Sequence, residues 1–278
     1  MTIDGFEPSP ALERFLLEAR PFGVLLFDRH LKSEGQVQEL NAWMHSILPG
    51  LNICLDQEGG RVSRLKTLGF DFPGASSLNS DPGRAMALGV DTGKVLARLG
   101  FDVDFAPVAD LGPVEQGTGL EGRTFADDAE SVAACCASFL EGLAASGVRG
   151  CLKHFPGLGG SRCDSHKSLP YIGGGADERL KHLAPYQILA PITPFVMMAH
   201  GRYDIFEDPA ASSLNHEAYS LLRDLNFAGQ SITDDLCMGA VASEGTLAER
   251  VTKAMEAGAD IALWVSSEAD SLAVCQTL

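Results

Sequence analysis

Short apolar runs alternate along the chain with longer stretches in which apolar residues recur every three or four positions. Seven runs have the length and apolar character of strands buried on both faces: residues 23–27, 52–55, 101–105, 150–152, 195–199, 230–233 and 261–265. Neighbouring parallel strands need a crossover connection, and a helix is the usual one. The alternation therefore predicts repeated strand–helix units.

The stretches between the runs carry the signals of helix ends. Ser33 with Gln36 predicts a capping box, and Asp127 with Asp128 places negative charge at the start of a helix. A further helix is predicted over residues 243–257, which a glycine follows. About eight strand–helix units at this chain length predict a (β/α)8 barrel of the TIM type, with an open doubly wound α/β sheet as the alternative.

The pattern continues along the chain without a linker rich in proline, serine or charge. We therefore predict a single domain over residues 1–278. The chain ends soon after the run at 261–265, which predicts a barrel that is irregular or shortened at its C-terminus. Apolar surface left bare at that point would favour a homodimer or an unusual closure.

The charge of the chain limits its partners. It has 37 acidic and 21 basic side chains, a formal net charge of -16 at pH 7, which disfavours nucleic acids and anionic membranes. No apolar run reaches the about 18 residues of a membrane span, and residues 1–8 lack the basic start of a signal peptide. Seven cysteines without a CxxC pair favour reduced thiols in a cytoplasmic protein over disulfides or a zinc cage.

Polar residues directly follow four of the predicted strands: Asp56, the pair Lys153 and His154, His200, and Asp234. In TIM-type enzymes the active site lies at the carboxyl ends of the strands, where side chains from different strands converge. These positions therefore predict a mouth lined with acidic and basic groups.

The segment LDQEGGRVSRL, residues 55–65, leaves the second run through two glycines. Asp56, at the strand end, is suited to accept a hydrogen bond from a ligand hydroxyl. Arg61 and Arg64 are three residues apart, so at helical spacing one or both reach the same mouth. We interpret Glu58 as a solvated loop residue.

The segment SITDDLCMGA, residues 231–240, ends a strand with two adjacent carboxylates. Two neighbouring carboxylates repel each other when both point into one site, so we expect the pair to divide its roles. The strand-end position predicts that Asp234 faces the mouth and that Asp235 caps the helix that follows.

The segment KHFPGLGGSRCDSH, residues 153–166, places a carboxylate two residues before an imidazole on a glycine-rich loop. Asp164 is expected to hold the His166 ring in one tautomer and to stabilise its protonated form. An imidazole with an ordinary pKa of about 6.5 gives and takes a proton near neutral pH. We therefore predict an acid/base on a mobile loop, residues 157–166, that closes over a bound ligand while Lys153 and His154 stay fixed.

These segments resemble the signature of the family 3 glycoside hydrolases of the NagZ type, the β-N-acetylhexosaminidases. KHFPGLG, followed four residues later by DSH, resembles the family's loop, and DQEGGRVSRL, GRTFADD and ITDDLCMGA resemble its other blocks in the same order. The likeness extends from about residue 21 to about residue 265. It implies a barrel enzyme without metal or other cofactor that removes N-acetylglucosamine from cell-wall muropeptides or related β-glycosides in the cytoplasm, with a small carbohydrate as its partner.

The resemblance also implies roles for individual residues. It implies Asp234 as the nucleophile that forms a covalent glycosyl-enzyme, His166 as the general acid/base, and Asp164 as its partner. The family's positions for binding the terminal sugar are matched by Asp56, Arg64, Arg123, Lys153 and His154. Leu158 stands where the family often has histidine, so one polar contact in the loop is missing or replaced.

The implied chemistry agrees with the residue types. Retaining glycosidases usually use two carboxylates, and a histidine in the acid/base position meets the same need for a proton that can be donated near neutral pH. Asp234 must stay ionised to attack, and the cationic Lys153 and Arg123 would lower its pKa.

Other functions stay open at this point. A family 3 β-glycosidase or phosphorylase of different sugar specificity would keep the nucleophile, although the family's β-glucosidases usually lack the KHFPG…DSH loop. A metal-dependent barrel hydrolase would use aspartate and histidine at strand ends as ligands, although no HxH motif follows a strand. The presence of Asp234, Asp164 and His166 disfavours a catalytically inactive sugar-binding relative.

Overall fold

We describe the fold from a computed structural model of residues 1–278, the side chain of Ala176 excepted. Its strands are β1 Gly23–Leu26, β2 Asn52–Leu55, β3 Gln57–Gly59, β4 Val62–Ser63, β5 Val103–Asp104, β6 Arg149–Phe155, β7 Tyr171–Ile172, β8 Phe195–Met198, β9 Arg202–Tyr203 and β10 Gln230–Thr233. One parallel sheet has the order β1-β2-β5-β6-β8-β10, and β3–β4 and β7–β9 form separate pairs. Each strand of the parallel sheet falls on an apolar run that the sequence predicted.

Both edges of this sheet are extended by further backbone. At one edge, the Leu25 N–H donates to the Met1 carbonyl at 2.8 Å, which places the start of the chain beside β1. At the other edge, Ile261 forms a parallel bridge with Ile232, and the Thr233 N–H donates to the Ile261 carbonyl at 3.0 Å. The sheet therefore continues beyond its regular strands on both sides.

The sheet curls around an apolar interior to which all its strands contribute. This buried cluster consists of Leu25, Cys54, Val103, Phe105, Cys151, Phe195, Met197, Ile232 and Leu263. Leu25 lies near one edge of the sheet and Leu263 beyond the other, so the two edges approach each other around one core. The fold is thus of the (β/α)8 type, and the prediction of a barrel over an open doubly wound sheet is confirmed.

Helices alternate with the strands and cover the outside of the sheet. They are α1 Pro10–Ala19, α2 Glu34–Ile47, α3 Pro82–Leu99, α4 Ala129–Ala144, α5 Gly175–Leu189, α6 His216–Asp224, α7 Leu247–Ala257 and α8 Glu268–Thr277. The negative charge predicted at the start of α4 is present, and the Asp128 carboxylate there accepts from the Ser131 N–H at 2.8 Å. At the start of α2, the Ser33 hydroxyl accepts from the Gln36 N–H, but the Gln36 side chain accepts from Lys32. Only half of the predicted capping box therefore forms.

The C-terminal part of the chain departs from the prediction in two places. The helix predicted over residues 243–257 is divided into a 3-10 segment, Gly239–Glu244, and α7, which opens with a capping box between Thr246 and Glu249. The irregularity expected near the last strand is present, since Ile261 forms an isolated bridge. The final helix, α8, is present and packs against α1 and α7. The apolar surface expected for a shortened barrel is therefore covered and gives no argument for a homodimer. The homodimer and the single domain over residues 1–278 both stay predictions.

The structure also bears on the expected environment of the chain. All seven cysteines are free thiols, and Cys54, Cys135, Cys136 and Cys151 are buried. Over the described residues, no helix combines the length and the apolar character needed to cross a membrane.

Candidate active site

A cavity of about 350 Å³ opens at the carboxyl ends of the sheet strands. The residues predicted as catalytic or sugar-binding line it: Asp56, Arg64, Arg123, Lys153, His154, Asp164, His166 and Asp234. Side chains from distant parts of the sequence therefore meet at one site, as the strand-end positions predicted.

Lys153 and His154 are consecutive residues of β6, yet both line the cavity. Consecutive side chains of a regular strand point to opposite faces. The pairing register of β6 with β8 shifts between Lys153 and Phe155, and such an irregularity redirects a side chain. Two polar side chains thereby reach the mouth from one strand.

A buried group of two cations and two carboxylates forms one wall of the cavity. The Lys153 ammonium lies 2.8 Å from Asp56 Oδ1 and 2.7 Å from Glu58 Oε1. The Arg123 guanidinium donates to both oxygens of Glu58, from Nε and from one terminal nitrogen, at 2.8 Å each. Burial would lower the pKa of Lys153 and of Arg123, but the facing carboxylates raise both.

The interpretation of Glu58 as a solvated loop residue is wrong. Its side chain is 6% exposed and makes ion pairs with both Arg123 and Lys153. Burial would raise the pKa of Glu58, but the two cations hold it far below its usual value. Both partners are distant in sequence, so no local pattern around Glu58 points to them.

Asp110 is a site residue that the sequence reasoning did not find. It is fully buried, and its Oδ2 lies 2.7 Å from His154 Nδ1. If Nδ1 carries the proton, as this contact favours, Nε2 is left as an acceptor on the side of Arg123, whose terminal nitrogen lies 3.5 Å away. Asp110 Oδ1 also accepts from the Leu158 N–H at 2.6 Å. One carboxylate thus fixes both His154 and the first part of the glycine-rich loop.

Asp234 lines the cavity as predicted. Its Oδ1 accepts from the Asp235 N–H at 2.8 Å, which leaves Oδ2 for other contacts. Burial would raise the pKa of Asp234, but His200, His154, the Asp235 N–H and Lys153 together hold it below its usual value. The carboxylate is therefore ionised near neutral pH.

Asp235 does not cap a helix, and that prediction is wrong. Its Oδ1 accepts from the Cys237 N–H and from the Val265 N–H, each at 2.9 Å. The turn after β10 is thereby tied to the segment beyond Ile261. Burial raises the pKa of Asp235 to about 6, and the neighbouring Asp234 acts in the same direction.

His200 does not take the place expected from its position after β8. It is fully buried, with Nδ1 2.7 Å from the Ser213 hydroxyl and Nε2 2.8 Å from the Asp235 carbonyl oxygen. Burial lowers the pKa of His200 despite the nearby Asp234. The imidazole bonds to the turn that carries Asp234 and Asp235, on the side away from the cavity. The prediction that His200 lines the mouth is therefore wrong.

The two predicted arginines differ. The Arg64 guanidinium lines the cavity and lies 5.6 Å from the centroid of the Phe27 ring. Its Nε is buried and has no hydrogen-bond partner among the residues that the structure describes. Arg61 instead pairs with Glu121 at 2.7 Å on the surface. Of the two, Arg64 therefore reaches the mouth.

The acid/base candidates form the exposed wall of the cavity. His166 Nδ1 lies 2.7 Å from Asp164 Oδ1, which also accepts from the His166 N–H at 3.0 Å. The His166 side chain is 65% exposed and that of Asp164 20%. Burial would raise the pKa of Asp164, but the hydrogen bonds and the charge of His166 lower it. The expected pairing of carboxylate and imidazole is present.

The loop that carries this pair contacts the barrel at several points. The His166 carbonyl accepts from the Gly239 N–H at 3.2 Å, and a Cβ on Gly239 would lie 2.7 Å from that oxygen. At the start of the loop, a Cβ on Gly159 would lie 2.5 Å from the His182 ring, so close packing requires glycine there. The Leu158 side chain is buried in a small apolar cluster with Tyr203. Closure of the loop over a ligand stays a prediction.

Comparison with protein families identifies a relationship over almost the entire chain. Residues 6–277 match the model of the glycosyl hydrolase family 3 N-terminal domain. The β-hexosaminidase of Stenotrophomonas maltophilia K279a is 36% identical over 253 residues, which are 87% of this chain and 75% of that protein. The β-hexosaminidase of Pseudomonas aeruginosa LESB58 is 32% identical over 255 residues, 90% of this chain and 76% of that protein.

Solved structures of family 3 enzymes have the same fold as this chain. NagZ from Neisseria gonorrhoeae, in complex with N-trifluoroacetyl-D-glucosamine, superposes with a TM-score of 0.90 at 30% identity over 100% of this chain and 84% of that one. A family 3 β-N-acetylglucosaminidase from Paenibacillus sp. FPU-7 gives a TM-score of 0.91 at 28% identity over 99% of this chain. This chain spans 55% of the length of the Paenibacillus structure.

Proposed function

The chain belongs to glycosyl hydrolase family 3, and we propose that it is a retaining β-N-acetylglucosaminidase. The observation that carries the proposal is one cavity lined by the half-buried carboxylate of Asp234 and by the hydrogen-bonded pair of His166 and Asp164. A retaining glycosidase needs a nucleophile and an acid/base around one glycosidic bond. The names of the β-hexosaminidase relatives and the N-acyl glucosamine bound to Neisseria NagZ support the choice of sugar.

In the first step of the proposed reaction, Asp234 Oδ2 attacks the anomeric carbon of the terminal sugar, and the bond from that carbon to the glycosidic oxygen breaks. Protonated His166 gives its Nε2 proton to the departing oxygen, so the aglycone leaves as a neutral alcohol. The Asp164 carboxylate accepts a hydrogen bond from the His166 Nδ1–H and stabilises the protonated ring before the transfer. The products of this step are the covalent glycosyl-enzyme and neutral His166.

In the second step, water attacks the anomeric carbon, and His166 Nε2 takes the proton that the water loses. The bond to Asp234 breaks, and the carboxylate is restored. Each step inverts the anomeric carbon, so the two together retain its configuration. The low pKa of Asp234 suits it to both steps, since it attacks and leaves as an anion.

The buried wall of the cavity supplies the proposed contacts to the sugar hydroxyls. Asp56 bonds to Lys153 through Oδ1, so its other oxygen can accept from a hydroxyl. His154 Nε2, Arg64, Arg123 and Lys153 lie on the same cavity. Charge-assisted hydrogen bonds of this kind orient the ring for attack as well as bind it.

The natural substrate and location form the finer part of the proposal. We infer that the aglycone comes from a cell-wall muropeptide or a related β-glycoside and that the enzyme acts in the cytoplasm, with the small carbohydrate as its partner. The family resemblance supports the substrate, and seven free cysteines support a reducing compartment. The net charge of -16 disfavours nucleic acid or an anionic membrane as a partner.

A substrate panel tests the proposal. The purified protein is assayed with nitrophenyl β-glycosides of N-acetylglucosamine and of glucose, with and without phosphate and with and without a chelator. We expect turnover of the N-acetylglucosaminide that needs neither phosphate nor metal. A preference for the glucoside would refute the sugar assignment, glycosyl phosphate as the main product would indicate a phosphorylase, and loss of activity with chelator would indicate a metal-dependent enzyme.

A further inference from the structure

The Glu58 carboxylate lines the cavity together with the two cations of the buried wall and bonds to both of them. It receives three hydrogen bonds: two from Arg123, at 2.8 Å each, and one from Lys153, at 2.7 Å. Its side chain is 6% exposed, against 19% for that of Asp56, which bonds to the same ammonium. Both oxygens of Glu58 are therefore engaged by protein donors, whereas Asp56 keeps one oxygen for a ligand.

The two cations can lie close together on the buried wall because they share an anion, the Glu58 carboxylate. Lys153 and Arg123 bear like charges, are almost fully buried, and each disfavours the charged form of the other. Burying a charge without a partner is costly, and removing one partner from a buried pair is more destabilising than replacing both. Because Glu58 bonds to both cations, its loss would leave Arg123 without a carboxylate and Lys153 with Asp56 alone.

The backbone that carries Glu58 is fixed on both sides. The Gln57 N–H donates to the buried Asp104 at 2.9 Å, and the Gln57 side chain accepts from the Leu65 N–H at 3.0 Å. Gly59 has a φ of +89°, and a Cβ there would lie 2.2 Å from the Pro73 carbonyl oxygen. These contacts fix the position of the Glu58 carboxylate. The carboxylate in turn holds the Arg123 and Lys153 side chains in place.

We propose that Glu58 is a positioning residue for sugar recognition, which acts through Arg123 and Lys153 without touching the sugar. The inference rests on the proposed function, since it assumes that these two cations bind hydroxyls of the substrate. It goes beyond that function by assigning a role to a carboxylate whose two oxygens both bond to protein cations.

A double-mutant cycle tests this role. The variants Glu58→Gln, Arg123→Gln and the two combined are compared by kcat/KM with nitrophenyl N-acetyl-β-D-glucosaminide. We expect Glu58→Gln to lose at least about 30-fold, the scale of removing one partner of a buried charge pair. If Glu58 acts through Arg123, the effects of the two substitutions should not multiply. The fold-loss of kcat/KM in the combined variant should be at least about tenfold smaller than the product of the two single fold-losses.

Two further variants separate positioning from folding. Glu58→Asp keeps the charge and should retain more activity than Glu58→Gln. Glu121→Gln removes the exposed ion pair with Arg61, at 2.7 Å and close to Arg123 in sequence, and should stay within about twofold of the wild type. Thermal unfolding of every variant shows how much folded enzyme each assay contains, and Glu58→Asp serves the test if Glu58→Gln does not fold.

The outcomes are distinct. The inference would be overturned by independent losses that multiply in the combined variant, by a folded Glu58→Gln enzyme with wild-type kcat/KM, or by a loss explained entirely by unfolded protein. Each of these outcomes would leave the proposed function intact. A wild-type protein that hydrolyses no N-acetylglucosaminide would overturn the proposed function and this inference with it.

Discussion

The two walls of the cavity are built in opposite ways. On one wall, the side chains of Lys153, Glu58 and Arg123 are 3%, 6% and 10% exposed, and both cations bond to Glu58. On the other wall, the His166 side chain is 65% exposed and pairs with Asp164. A buried charge network is rigid because each of its bonds is costly to break, whereas an exposed pair on a loop exchanges protons with water and moves at little cost.

The difference separates two tasks of one reaction. Recognition of a sugar requires donors and acceptors that are in place before the ligand arrives, which the buried wall provides. Proton transfer requires a group that reaches the glycosidic oxygen and then recovers its proton from water, which suits the exposed wall. The predictions below test whether the walls fail in different ways when each is altered.

Removal of the nucleophile should have the largest effect. Asp234→Ala is expected to lose at least about 10⁴-fold in kcat, even with a good leaving group, because no other carboxylate takes its role. Steady-state assays with nitrophenyl N-acetyl-β-D-glucosaminide measure the loss, and an unchanged near-ultraviolet circular dichroism spectrum would show that the fold is intact. Substantial turnover by Asp234→Ala would mean that the nucleophile is another residue.

Removal of the acid/base should give a loss that depends on the leaving group. His166→Ala is expected to lose about 10²- to 10⁴-fold with an alkyl N-acetylglucosaminide, whose oxygen must be protonated as it leaves. With a dinitrophenyl leaving group, the rate of glycosyl-enzyme formation should fall much less, and Asp164→Ala should show the same pattern more weakly. Equal losses for both substrates would assign His166 to positioning of the sugar.

Removal of a cation from the buried wall should affect all leaving groups alike. Lys153→Met leaves Asp56 and Glu58 without their shared ammonium, and we expect about a 100-fold loss of kcat/KM with either substrate. Lys66→Met is the matched control, because Lys66 pairs with Asp71 on the exposed surface. A loss confined to the poor leaving group would contradict the division of tasks between the two walls.

The smallest effect concerns the stability contributed by Asp235, which lines the same cavity. Its pKa is raised to about 6 in the folded protein, above the about 3.9 of an unfolded chain, so the folded state binds the extra proton more tightly. The associated stability is fully present below about pH 4 and is lost as the pH rises through about 6. Asp235→Asn should remove this loss, on the order of 1–3 kcal/mol, in urea unfolding at pH 4 and pH 7. A wild-type minus variant difference that does not change with pH would contradict it.

Much of the fold and of the cavity could be predicted from local sequence. Apolar runs identify the strands because a strand buried on both faces contains few polar residues, and a polar residue directly after the run then lies at the carboxyl end. This reasoning finds Asp56, Lys153 and Asp234. It fails for His200, since position after a strand does not tell whether a side chain turns toward the mouth or behind it.

The contacts within the cavity could not be predicted in the same way. Glu58 and Asp110 look like ordinary loop residues because their partners, Arg123 and His154, are 65 and 44 positions away. The presence of both Lys153 and His154 on one side depends on a shift of register in β6, which no sequence period encodes. A glycine-rich loop predicts mobility from sequence alone, whereas the packing of Gly159 against His182 depends on the tertiary structure.

One measurement tests the central claim most directly. The wild-type enzyme is incubated with an activated 5-fluoro analogue of N-acetylglucosamine, which slows release of the glycosyl-enzyme, and the labelled protein is digested and analysed by mass spectrometry. The account predicts one sugar per chain, bound to Asp234 and released with the return of activity. A label on Asp235, or full turnover of substrate without any covalent adduct under these conditions, would contradict it.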